Sequence, residues 1–146
     1  MTWIDIIQSV GIIASLSFTL FQMRIFIKSL KASSHMAILN RLDGVNRVLF
    51  EHPEEFARLR EAYSPKSLPE TDRRAHLMDM IFSLFEEVYL QHRKYRFMDR
   101  EFLSPWIRTI KRTFNFPYAV GYWQIVKEEY PESFRIFIHG LLSSPE

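Results

Sequence analysis

The chain has 146 residues, enough for one ordinary domain and too few for a multidomain enzyme. With 47% hydrophobic and 25% charged residues and only 4 Gly, it has the composition of a folded protein, and the absence of Cys excludes disulfide frameworks, thiolate zinc sites and Cys nucleophiles. A net charge of +2 is too mild to indicate a nucleic-acid binder by itself, so any such role would have to come from a local cluster.

Residues Ile4 to Met23 form a run of twenty with one charge, Asp5. As a helix the run is about 30 Å long, the hydrocarbon thickness of a bilayer. Arg24, Lys28 and Lys31 follow it directly, and by the bias of basic residues toward the cytoplasm they predict an N-terminus outside and a C-terminal part inside. Trp3 stands where an interfacial aromatic would anchor the span. A cleaved signal peptide would carry its basic residues before the apolar run, which is not the order here. A competing reading is an amphipathic helix of a soluble bundle, since Gln8, Ser9, Ser15, Ser17, Thr19 and Gln22 make the run less apolar than a lone anchor.

Those polar residues are not scattered. At 100° per residue, Asp5, Gln8, Ile12, Ser15, Thr19 and Gln22 fall within an arc of about 100°, spaced like a bundle seam, while mostly Ile, Val, Leu and Phe cover the rest, with Ser9 and Ser17 off the stripe. In hydrocarbon such a stripe must face another helix or water. It therefore predicts self-association or a partner helix, either as a closed bundle in which the polar groups hydrogen-bond across the seam, or as a ring lining an ion path. In the second arrangement Asp5 rings the outer mouth and favours cations, and Ile12 or the in-phase Phe26 is a hydrophobic gate. Gly11 and Ser15 form a small-xxx-small pair that allows close helix approach.

Residues 33–146 carry helix signals throughout, and no run alternates with period two. Met36, Leu39, Leu42, Val45, Val48 and Leu49 are at helical spacing over Ser33 to Phe50, weakened by Gly44, in a helix that continues the span or restarts after it. Pro53 opens a short helix through Phe56 and Leu59; Ser64 to Pro69 reads as a turn; and Ser67 with Glu70 forms a capping box before a long helix reaching Tyr95. That helix presents Leu77, Met80, Ile81, Leu84, Phe85, Val88 and Tyr89 as the predicted centre of the core. Asp99 is the expected N-cap of the next helix, which Pro105 kinks or restarts. Pro117 and Pro131 are expected in the first turns of two final helices. The predicted fold is all-α: an N-terminal transmembrane helix with its flank (residues 1–32), then a compact cytoplasmic helical domain (33–146), homo-oligomeric around the spanning helices.

No hydrolase, zinc-protease, phosphate-loop or calcium-loop pattern is present, so neither an enzyme nor a cofactor is expected. His76 and Asp79, with Glu86 and His92 further along the same helix, supply too few convergent ligands for a metal site. One charge cluster stands out: Arg93, Lys94, Arg96, Arg100, Arg108, Lys111 and Arg112 against Asp99 and Glu101. With Tyr95, Phe97, Phe102 and Trp106 interleaved, it suits a nucleotide or oligonucleotide, anionic lipid headgroups or a protein partner; alternatively it is a solvated face over a buried aromatic core.

The opening span to Leu30, LFEEVYLQHRKYRFMDREFLSPW from Leu84 to Trp106 and GYWQIVKEEYPESFRIFI from Gly121 to Ile138 resemble small single-pass bacterial membrane proteins with a helical cytoplasmic domain of the unknown-function type. Among these the chain looks like the transmembrane channel effectors of the Hailong phage-defence system. The resemblance implies an inner-membrane homo-oligomeric channel that depolarises the cell and is gated through its cytoplasmic domain by an operon-encoded regulator or its product. A tetramer is expected. The alternative is a non-conducting membrane-anchored scaffold or sensor that binds a cytoplasmic protein partner.

Overall fold

The computed structural model describes residues 3–63 and 73–143, apart from the side chains of residues 4–7 and 9. It is all-α: among the described residues there are six α-helices, one 3-10 turn and no strand. Helix α1 runs Trp3–Glu51, α2 Pro53–Arg58, α3 Arg73–Arg93, α4 Arg100–Thr113, α5 Pro117–Val126 and α6 Glu132–Ser143, with the 3-10 turn at Lys127–Glu129. The chain divides into two compact units, Met1–Met36 and Ala37–Glu146.

The first unit is helix alone. Its apolar side chains from Val10 to Phe26 are exposed, with Ile12 at 60%, Phe18 at 62% and Phe26 at 61%. From Val10 onward α1 is long and apolar enough to cross a membrane, and none of that apolar window is buried against the protein. The helix runs on through Ser33 to Phe50 without a restart.

In the second unit, α3 is the centre. Leu77, Leu84, Phe85, Val88 and Tyr89 are buried as their spacing predicts, and Met80 and Ile81 are half-buried. Ala75, Met78, Phe82 and Gln91 are buried as well, so this helix is enclosed around most of its circumference and not along one face. Phe82 joins the layers: its ring stacks on Phe114 at 5.6 Å and meets the edge of Trp123 at 5.2 Å. Trp123 in turn contacts Phe134 at 6.0 Å, which ties α5 and α6 to α3. Each such pair adds about 0.5–1.5 kcal/mol beyond the area it buries.

The local signals act where they stand. Pro53 and Pro117 occupy first-turn positions, where a missing N–H costs nothing. Asp99 caps α4, its carboxylate accepting from the Phe102 N–H at 3.1 Å. Two expectations change. Pro105 does not restart α4; it sits in the exposed second turn of a helix that runs on from Arg100 to Thr113. Pro131 lies just before α6 and accepts from the Phe134 and Arg135 N–H groups at 2.9 and 3.1 Å, acting as the cap and not as a first-turn residue. The long third helix ends at Arg93, two residues short of Tyr95. The turn at Ser64 to Pro69 and the Ser67–Glu70 capping box lie outside the described residues.

Candidate functional site

Two features bear on function: the polar stripe of α1 and the basic stretch that ends α3 and forms α4. On the stripe, Gln8, Ile12, Ser15, Thr19 and Gln22 are all exposed, as is Phe26. The Asp5 side chain lies outside the described residues. The Ser15 hydroxyl donates to the Gly11 carbonyl at 2.9 Å, and the Thr19 hydroxyl to the Ser15 carbonyl at 2.9 Å. Both hydroxyl protons are thereby spent on the helix's own backbone, a frequent arrangement for Ser and Thr within helices. What the two side chains still offer is oxygen lone pairs. The Gln8 and Gln22 amides have no hydrogen-bond partner among the described residues, so they are the groups that need a neighbour in hydrocarbon. A Cβ at Gly11 would meet nothing within 4 Å, so this position is open to another helix.

The basic stretch is partly gathered by α4. Around that helix Arg100, Arg108, Lys111 and Arg112 fall within an arc of about 120°, on the side away from buried Leu103 and Ile110. Arg93, Lys94, Arg96, Arg100, Arg108 and Arg112 are exposed and Lys111 is half-buried. Lys94 lies 5.5 Å from the Tyr95 ring centre, a cation–π contact. Of the interleaved aromatics, Tyr95 (46%) and Phe102 (53%) are exposed, while Phe97 and Trp106 are half-buried. Two rings, not four, are therefore available for stacking on a ligand.

Arg96 has a backbone φ of 55°. It stands in the left-handed region where the chain leaves α3, a place that suits glycine and costs other residues about 1 kcal/mol.

The histidine and carboxylate residues on α3 have separate tasks. His92 Nδ1 is 2.9 Å from the Met98 carbonyl and holds the turn after α3. Asp79 accepts from the Tyr122 hydroxyl at 2.9 Å, and burial together with this bond pushes the Tyr122 phenol up. Burial also pushes the Glu86 carboxyl up, with neighbouring Glu87 adding to it. His76 is exposed. Among the described residues no three His, Asp or Glu side chains gather as metal ligands would.

No protein-family model, curated protein or solved structure matches this chain.

Proposed function

We propose that the chain is a homo-oligomeric membrane channel in which copies of α1 surround an ion path. It has no catalytic role, and the helical domain sets the copy number, which we take as four. The observation that carries this reading is the polar stripe on a segment of α1 whose apolar side chains from Val10 to Phe26 are exposed. Lipid suits the apolar circumference, and only like helices or water suit the stripe. Ser15 and Thr19, with their protons spent, would line the path with acceptors, as cations require. Asp5 adds negative charge at the outer mouth, and Ile12 or Phe26 closes the path by dewetting.

The basic residues Arg24, Lys28 and Lys31 support a single pass with the N-terminus outside and the helical domain in the cytoplasm. On the resemblance to Hailong-type effectors, this is the bacterial inner membrane, and conduction depolarises the cell as a toxic step of antiviral defence. Control enters through the cytoplasmic domain. Its basic stretch, from Arg93 to Arg112, is the surface on which an anionic ligand or regulator would act.

The test is the double variant Gln8→Leu, Gln22→Leu. A pore keeps its assembly, seen by crosslinking in membranes, and loses conductance. A membrane-anchored scaffold whose stripe is only interhelical glue loses assembly instead, which would refute the channel. Asp5→Asn lowers cation over anion preference; an unchanged reversal potential in asymmetric salt removes Asp5 from the path.

A further inference from the structure

Within the second unit, α1, α2, α3 and α4 enclose a cavity of about 330 Å³. Small-molecule sites span roughly 300–1,000 Å³. Its walls are mostly apolar, with Val45 and Leu49 from α1, Leu59 after α2, Met78 and Phe85 from α3, and Phe116 after α4. Val45, Leu59, Met78 and Phe85 are buried core residues, so the floor of the cavity is a fixed part of the fold. Walls of this kind, left in contact with water or nothing, forgo the dispersion contacts that an apolar occupant restores.

The polar groups on the lining are few. Thr109 donates to the Pro105 carbonyl at 3.0 Å and Thr113 to the Thr109 carbonyl at 3.0 Å, so neither hydroxyl proton is free. Asn46, Trp106 and Arg112 line the cavity with donors that have no partner among the described residues. Arg112 is exposed and, among the described residues, carries the only full charge on the lining. The Thr109 and Thr113 hydroxyls and the Asn46 amide oxygen offer lone pairs, but the one full charge among the lining residues is the Arg112 cation, so the apolar chamber suits an amphiphile with an anionic head.

We propose that this cavity binds a medium-chain aliphatic carboxylate, its alkyl chain against Val45, Leu49, Met78 and Phe85 and its carboxylate on the Arg112 guanidinium. This goes beyond the channel reading and does not rest on it. It also separates Arg112 from the six other cations of the basic stretch, none of which lines the cavity.

The full chain in nanodiscs of zwitterionic lipid is irradiated with a diazirine derivative of decanoic acid, and labelled peptides are identified by mass spectrometry. Saturable labelling of segments 42–49 or 106–116 is expected, displaced by unlabelled decanoate at about tenfold lower concentration than by decanol. Arg112→Gln removes that advantage and Arg112→Lys keeps most of it; because the side chain is exposed, both variants retain the wild-type melting temperature. Labelling that never saturates, or that falls only on residues 10–30 as from a probe dissolved in the bilayer, overturns the proposal. So does equal competition by decanoate and decanol, or an advantage that survives Arg112→Gln.

Discussion

Two glycines in the helical domain have opposite surroundings, and replacing each by alanine tests how α5 packs. A Cβ on Gly121 would lie 2.8 Å from Tyr63 Cβ, closer than side-chain atoms tolerate, with the Tyr63 backbone 3.8 Å away. Tyr63 cannot swing aside freely: its ring packs on Tyr118 at 5.2 Å and Tyr122 at 5.5 Å, and the Tyr118 N–H reaches back to the Leu59 carbonyl at 3.3 Å. A Cβ on Gly44 would meet nothing within 4 Å. Alanine in a helix is better than glycine by about 0.5–1 kcal/mol. Gly44→Ala should gain that amount. Gly121→Ala gains the same but incurs about 1–3 kcal/mol of overpacking, for a net loss of up to about 2.5 kcal/mol and a difference of about 1–3 kcal/mol from Gly44→Ala. In a domain of this size 1 kcal/mol moves Tm by roughly 4–8 °C, so thermal unfolding of the full chain followed by near-ultraviolet circular dichroism places Gly121→Ala below Gly44→Ala by at least about 4 °C. The double variant Tyr63→Gly, Gly121→Ala removes the atom in the way and should fall no lower than Tyr63→Gly alone. Stabilisation by Gly121→Ala equal to that by Gly44→Ala would refute this packing.

Arg96→Gly relieves the left-handed backbone and should raise stability by about 1 kcal/mol in urea unfolding, although it removes a charge from the basic stretch; a loss of stability would mean that the side chain holds the turn. Burial pushes the Tyr130 phenol up to about 12, and raises the Tyr122 phenol further, with the Asp79 carboxylate beside it. A raised phenol favours the folded state below its unfolded pKa near ~10, so the domain should hold its stability to about pH 10 and lose it as pH rises through and beyond that value. Tyr130→Phe should flatten the alkaline limb between about pH 10 and 12, checked by denaturant midpoints across that range; an unchanged slope would show that Tyr130 titrates as it does in the unfolded chain.

The parts of the fold that were legible in the sequence are those fixed by neighbours along the chain. Pro53, Pro117 and Asp99 act within one turn of where they stand, so their spacing is enough to place helix starts. The α3 core was only partly read from the sequence: Met78 falls between Phe85 and Tyr89 on the same face and Phe82 at its edge, so the period extends to both, whereas the burial of polar Gln91 comes from helices packed over it, which no local pattern records. The restart allowed for at Pro105 did not occur, because an interior proline removes one backbone bond and the rest of the helix continues past it. The stripe of α1 was legible as a pattern, but not the back-bonding of Ser15 and Thr19, which depends on rotamers. The cavity could not have been read at all. It gathers residues from four helices, and its signal is the absence of partners at Asn46, Trp106 and Arg112, which only the folded chain displays.

Membrane potential is the direct measure of the central claim. A voltage-sensitive dye is followed in bacteria induced to make the full chain, the chain beginning at Ser33, and full chains carrying Ile12→Ser or Phe26→Ser, with membrane insertion checked in each. Rapid depolarisation that requires the first 32 residues is the predicted result, strengthened where a serine replaces the side chain that closes the path. Full potential in every strain, including both serine variants present in the membrane, would contradict the channel.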